Sequence, residues 1–357
     1  MQLSFKARFN QITTGFLFAL LWHGLSLVYA QDSTLAEKGS TKLFPVVQNS
    51  QFGFMDETGR LVIQPQFEES DAFAEGFARV KVAGKWGFID TTGNLVISPQ
   101  FAQAFDFSES LACVQIKDKW GYIDKTGAWV INPVFADALP FSEGLAAVQT
   151  MTRLLFFDIY TGYGFINKHG ELAFIRKFDQ ARSFSEGLAP VKIKKNFLFI
   201  PLKYIWKFIN KKGELLPFSY SGGVGPFCQG LARIQKGKKI GFIDRTGKVV
   251  IEPQFQAAAD FSEGLAPVSN GEQWGFIDQT GKVVIDFQFD YALGFSEDLA
   301  AVKIEGKWGF IDRSGKIAIE PQFDLCKKFV KGLAAVSIDR KIGYINKSGQ
   351  YVWKPSE

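Results

Sequence analysis

The sequence predicts an all-β fold built from tandem antiparallel meanders. Three observations carry that prediction: a fixed period, strand-type composition within it, and turn residues between the strands. A Gly flanked by an aromatic or aliphatic residue and followed by aromatic-aliphatic-Asp/Asn recurs at Gly53, Gly87, Gly121, Gly164, Gly241, Gly275, Gly309 and Gly343. The steps from Gly53 to Gly121 and from Gly241 to Gly343 are all 34 residues, and Lys207 takes the place of Gly between Gly164 and Gly241. Around that interruption the steps are 43, 43 and 34, so each long interval is one period plus nine residues. A period of 34 is also the length of a tetratricopeptide helical hairpin. Composition decides for strands, because Val/Ile/Phe/Trp runs are bounded by Gly and Pro, and segments such as Val80-Lys81-Val82 and Val302-Lys303-Ile304 alternate apolar and polar. No segment of the repeat offers a helical face of useful length.

Residues 1–30 read as a secretory signal peptide, with Lys6 and Arg8 ahead of an apolar run from Gly15 to Trp22 and small Ala30 closing the cleavage site. Cleavage after Ala30 would place the mature chain in the periplasm or outside the cell. Retention of the leader as an anchor is the other outcome; the mature chain has no predicted membrane span. Residues 31–42 are polar and read as a flexible lead. The array of about nine repeats then occupies 43–355, since Leu43-Phe44-Pro45-Val46 matches Leu265-Ala266-Pro267-Val268 in spacing to the next Gly.

Within a repeat, Trp274-Gly275-Phe276-Ile277-Asp278 forms one strand and Thr280-Gly281 the turn that follows. Asp278 can accept backbone N–H bonds there, and Gly281 can take φ > 0 at little steric cost. A second strand ends near Pro-Gln-Phe. Pro65, Pro99, Pro133, Pro253 and Pro321 share one register position, which must be a strand end or an edge because Pro cannot donate to a ladder. A long bend through Phe-Ser-Glu-Gly leads to a third strand beginning Leu-Ala. Such three-stranded units bury their apolar faces against their neighbours, either as an elongated or superhelical stack or as a closed propeller-like ring.

These residues, above all Lys85-Trp86-Gly87-Phe88-Ile89-Asp90 and Gly306-Lys307-Trp308-Gly309-Phe310-Ile311-Asp312, resemble the WG (KWG) repeat family. The resemblance covers about residues 43 to 355. It implies a β-rich repeat array that acts as a binding or scaffolding surface, commonly without assigned activity. Phe52, Tyr163, Ile240 and Ile342 depart from the family's Trp, and the copy at Trp206-Lys207 departs from its Gly.

Candidate chemistry is sparse. The aromatic series that includes Trp86, Trp120, Trp274 and Trp308 would serve either as core or as a platform for stacking sugars. Substitution by Phe52, Ile240 and Ile342 favours core. Glu75, Glu109, Glu143, Glu186, Glu263 and Glu297 recur in the Phe-Ser-Glu-Gly bend, and Asp90, Asp124, Asp244, Asp278 and Asp312 in the turn. Copying one acid through most repeats points to structure, not to the unequal carboxylate pair of a glycosidase. His169 is the one histidine after Ala30, which leaves no His cluster for a triad or a zinc site. Three widely spaced cysteines, Cys113, Cys228 and Cys326, read as buried small side chains. No catalytic residue, metal site or cofactor is expected.

With Lys6 and Arg8 removed, the chain carries 39 basic and 36 acidic residues, too mild an excess to indicate nucleic acid. The charge is uneven, however. The diverged centre, 192–239, holds Lys192, Lys194, Lys195, Lys203, Lys207, Lys211, Lys212, Arg233, Lys236, Lys238 and Lys239 against Glu214 alone. This basic patch is the candidate binding site, and an anionic surface such as acidic lipid or polyanionic glycan is its matching partner; the plain alternative is a solvated face. The expected function is a non-enzymatic extracytoplasmic binding or scaffolding module for a protein or an envelope component. A glycan-binding or glycan-cleaving protein and a purely structural spacer are the alternatives.

Overall fold

The computed structural model describes residues 42–154, 157–197 and 200–355, and the side chains described exclude those of 151–161 and 195–202. The expected signal peptide and all of the expected lead except Lys42 lie outside the described residues. Within them the chain forms strands, turns and bends without a helix, arranged as nine small antiparallel sheets. The chain divides into two compact units, Met1–Asp106 and Phe107–Glu357. Unit one holds a sheet of Phe44–Gln48, Gln51–Met55 and Leu61–Phe67 and a second of Glu69–Ser70, Phe77–Val82, Lys85–Asp90 and Leu95–Phe101.

A representative sheet of unit two runs Ala257–Ala258, Leu265–Ser269, Trp274–Asp278, Val283–Phe289, each strand bonded to the next in that order. The Leu-Ala strand is buried along its whole length and the Trp-Gly strand nearly so, whereas the last strand, which carries Phe287 where most repeats have Pro, buries only Ile285 and Phe289. Two strands covered on both faces mean that neighbouring sheets pack against both sides of each sheet. The core clusters confirm it. Phe276, Ile285 and Phe289 of one repeat meet Ala292, Phe295, Ala300, Val302 and Ile311 of the next. In unit one, Phe52, Phe54, Ile63 and Phe67 meet Ala78, Val80 and Ile89 in the same way. Each interface centres on two rings, one from the Trp-Gly strand and one from just before the next bend, such as Phe276–Phe295 with centroids 5.0 Å apart and Phe310–Phe329 at 4.8 Å. Burying one such ring contributes roughly 1.5–3 kcal/mol.

Two expectations change. The repeat is four-stranded where it is regular, because the residues after Pro-Gln-Phe add a two-residue strand to the following repeat's Leu-Ala strand, as Ala258 pairs with Val268. A three-stranded meander would leave that strand's edge open. The fourth strand turns each repeat into a propeller-type blade. The fold is accordingly the propeller-like alternative, and the elongated or superhelical stack expected first gives way to it. The Phe-Ser-Glu-Gly segment is also no long bend. It is a tight hairpin turn, with Ser262 and Leu265 exchanging backbone hydrogen bonds and Glu263 and Gly264 both at positive φ.

The proline expectation holds for a definite reason. The Pro strand is the last strand of its sheet, and its register slips opposite the Trp-Gly strand: Trp86 faces Phe101, yet Phe88 faces Ile97. The surplus residues around Pro99 bulge onto Gly87, where a Cβ would come within 2.7 Å of both the Ile97 carbonyl oxygen and the Pro99 nitrogen. The same collision awaits at Gly53, Gly241 and Gly309. Gly164 meets no backbone, only Leu172. In its repeat and the next, the Pro strand has dissolved to single bridges, Tyr163–Phe178 and Trp206–Tyr220. Lys207 is tolerated because the bulge that demands glycine is gone.

Candidate binding surface

The repeated acids are consumed locally. Asp278 Oδ1 accepts from the Thr280 N–H at 2.9 Å, the Thr280 hydroxyl at 2.6 Å and the Lys282 N–H at 3.1 Å, and Gly281 completes the turn at φ 88°. Hydrogen bonds from the Thr or Ser hydroxyl and the turn N–H groups hold Asp90, Asp124, Asp244, Asp278 and Asp312 below the ordinary carboxylate range. At Asp56 they bring the value down to about 2. Asn167, Asn210 and Asn346 make the same backbone bonds without a charge.

The bend acids form a ladder through unit two. Glu109 accepts from Gly144 N–H, Glu143 from Gly187, Glu186 from Gly230, Gln229 from Gly264, Glu263 from Glu297 and Asp298, and Glu297 from Gly332. Where the turn carries Asn, the lysine after it reaches back to the same rung. Lys168 lies 3.1 Å from Glu109, Lys211 3.0 Å from Glu143 and Lys347 3.4 Å from Glu297. The two carboxyl groups of a glycosidase must be free and unequal, and these carboxylates are spent on backbone N–H groups. Away from the ladder, Asp71 and Asp106 share one guanidinium, that of Arg79, at 2.6 and 3.1 Å, and Arg79 also donates to the Ala104 carbonyl. Burial raises the Asp106 carboxyl although Arg79 pulls it down. Arg233 repeats that clamp on Asp260 and the Ala258 carbonyl.

The aromatic series is core rather than platform: Trp86 and Trp308 are buried, and Trp120 and Trp274 half-buried. Cys113 and Cys326 are buried with their thiols pushed up by burial, and half-buried Cys228 is pushed up to about 12 by the same cause. His169 is exposed in its turn.

The eleven basic residues do not form one patch. Lys192, Lys194 and Lys195 lie on the strand Leu188–Phe197, Lys203 and Lys207 on Ile200–Asn210, and Lys211 and Lys212 in the turn beyond it. Arg233 and Lys236 lie on Leu231–Lys236, and Lys238 and Lys239 follow in the next hairpin. Strand direction sorts them. Lys192, Lys194, Lys195, Lys203, Lys236, Lys238 and Lys239 lie toward the hairpin end of their sheets, whereas Lys211 and Lys212 lie roughly 25 Å from Lys203 along the strand at about 3.3 Å per residue. Lys211 belongs to the glutamate ladder, Arg233 to its clamp, and Lys207 donates to the Leu216 carbonyl at 3.1 Å. Lys192 lies over the Tyr204 and Trp206 rings at 5.1 and 5.8 Å. Lys194, Lys203, Lys212, Lys236, Lys238 and Lys239 are exposed, and the side chain of Lys195 lies outside the described residues.

The profile of the WG containing repeat matches residues 52–86, 86–120, 120–150, 163–197, 240–274, 274–308 and 308–341, well over half of the chain. The chain belongs to the WG repeat family. The profile passes over 198–239, where this WG array has lost its Gly and its Pro strand. No curated protein matches it. Among solved structures, the crystal structure of a eukaryotic initiation factor is similar at 12% identity and a TM-score of 0.54, covering 87% of this chain and 94% of that one. Apo AztD from Citrobacter koseri is similar at 11% identity and a TM-score of 0.44, covering 79% and 95%. At these identities the first likeness bears on the fold alone.

The structure also adds a feature that residue types alone did not reveal. Both nine-residue expansions lengthen the same hairpin, the one joining the Leu-Ala strand to the Trp-Gly strand. Ala146–Leu154 pairs with Phe157–Ile166, and Leu188–Phe197 with Ile200–Asn210. The 43-residue steps were the sequence signal; which loop absorbed them needed the register.

Proposed function

We propose that this WG array is a non-enzymatic extracytoplasmic module that binds or scaffolds a protein or an anionic component of the cell envelope. The observation that carries the reading is the division of labour among its polar residues. Turn aspartates, bend glutamates and clamp arginines are committed to backbone and to one another, while a run of exposed cations with few acids among them lies in the diverged repeats. Regular repeats supply the frame, and irregular ones supply what a partner can distinguish. Buried tryptophans speak against a sugar-stacking platform, and the local excess of exposed lysine against a featureless spacer.

Two measurements test it. Mass spectrometry of the chain from its native host is expected to find a mature N-terminus at Gln31 in the extracytoplasmic fraction. Photo-crosslinkers placed at Lys194, Lys203 or Lys238 should trap a discrete envelope adduct that a crosslinker at exposed Glu272 does not. A cytosolic chain, or adducts independent of position, would overturn the proposal.

A further inference from the structure

The two extended hairpins have properties that an array of identical repeats does not need. Regular hairpins carry five or six register pairs, five between Leu265–Ser269 and Trp274–Asp278, whereas the hairpin of Leu188–Phe197 and Ile200–Asn210 carries ten. At about 3.3 Å per residue it runs roughly 17 Å past the regular strand ends. The hairpin of the preceding repeat is lengthened too, and both project from the same end of consecutive sheets. Their last register pairs are Leu154 with Phe157 and Phe197 with Ile200. Turns of soluble hairpins normally carry Gly, Asn and Asp, and the other hairpins here do so at Gly84, Gly237 and Gly306.

The segment beside them is equally unusual. Where the Pro strand has dissolved, Ile175 is 93% exposed, the highest value among the exposed large apolar residues described. Arg176 and Lys177 follow it, both exposed, with Lys177 donating to the Thr150 hydroxyl of the first hairpin at 3.0 Å. Phe178 exchanges backbone hydrogen bonds with Tyr163 of the first hairpin, and Asp179 N–H then bonds the Lys192 carbonyl of the second at 2.9 Å. The segment of Ile175, Arg176 and Lys177 is thereby held against the first hairpin and leads, through Asp179, to the strand that carries Lys192 and Lys194, whose partner strand carries Lys203 and the 46% exposed Tyr204. Among the described side chains one exposed acid, Asp179, stands among these cations.

We infer that this end of the two diverged repeats docks on an anionic phospholipid surface. This rests on the binding-module reading above and names its partner. Apolar and aromatic residues ringed by Lys and Arg suit the bilayer interface, where the apolar groups enter the headgroup boundary and the cations meet acidic lipid. A polyanionic glycan would need the cations but not an exposed Ile175. Among the described residues no helix is long and apolar enough to cross a membrane, so the contact is peripheral.

The test is cosedimentation of the chain beginning at Gln31 with vesicles of phosphatidylcholine alone or of a two-to-one mixture with phosphatidylglycerol. Binding is expected only to the anionic vesicles and should weaken several-fold as salt rises from about 0.05 to 0.2 M. Replacing 150–162 and 193–205 each by Ile-Glu-Gly-Lys, which joins Lys303 to Trp308 in a regular repeat, should lower the partition coefficient at least tenfold. Because that variant alters backbone, Ile175→Ser and the combined R176Q/K194Q/K203Q are tested beside it. Each is expected to lose at least threefold with an unchanged circular dichroism spectrum. Absence of vesicle binding, or binding that both point variants retain in full, overturns the inference. Retention on heparin resin without vesicle binding also overturns it and assigns the cations to a glycan. Position-dependent envelope adducts in either case would leave the broader binding reading standing.

Discussion

At the scale of single residues, what looks like family ornament has a mechanical cause. Gly87 is glycine because Ile97 and Pro99 bulge onto its Cα, and Gly164 has no such neighbour. Gly87→Ala should therefore cost about 1–3 kcal/mol through forced backbone displacement, whereas Gly164→Ala should be neutral or slightly stabilising. Urea titration of the two variants checks this, and equal losses would refute the bulge as the reason for glycine. The turn aspartates yield a second prediction. Their carboxyls are depressed in the folded chain, so the stability they contribute is present above the ordinary carboxylate value near 4 and lost as pH falls through the folded values, about 2 at Asp56. Melting temperature is expected to drop between pH ~4 and ~2. Asp278→Asn keeps the turn, as Asn167 and Asn210 show, and should flatten that slope slightly; an unchanged slope in a variant with all six turn aspartates replaced by Asn would contradict it.

At the scale of elements, the glutamate ladder of unit two ties one repeat to the next by one or two backbone N–H groups. Gln229 occupies one rung naturally, accepting from Gly264 at 2.8 Å. Acceptance of the N–H, not charge, is thus what the rung requires. Glu263→Gln should leave stability within about 0.5 kcal/mol, while Glu263→Ala strands the N–H groups of Glu297 and Asp298 and should cost about 1–2 kcal/mol more. Equal effects in thermal unfolding would rule out the rung. The strands, the turn and the edge position of proline were legible in the sequence because each rests on local chemistry: alternation, φ at Gly, the missing N–H of Pro. The fourth strand was not. It is only two residues long and pairs with the following repeat, as Ala258 does with Val268, and a two-residue strand has no period to read.

At the scale of the whole molecule, the core is a succession of interfaces, each shared by two consecutive repeats. Phe276→Ala is expected to cost about 3–5 kcal/mol and, in hydrogen exchange, to deprotect mainly the repeats holding Phe276 and Phe295; uniform deprotection along the chain would refute this succession. The candidate site was only half legible. Charge counting singled out 192–239, yet it pooled residues that strand direction places at opposite sheet ends, and it counted Lys211 and Arg233, which serve the ladder and a clamp. Side-chain partners that lie far off in the chain, as Glu143 does from Lys211, leave no mark on a linear charge count.

The central claim is that regular repeats hold the frame while the two extended hairpins carry the binding function. Its most direct test compares the native chain with the chain whose 150–162 and 193–205 are replaced by Ile-Glu-Gly-Lys, measuring melting temperature and recovery of envelope components on the immobilised protein together. The account predicts a melting temperature unchanged within about 5 °C and loss of the components the native chain retains. Equal recovery by both chains, with the frame intact, would contradict it.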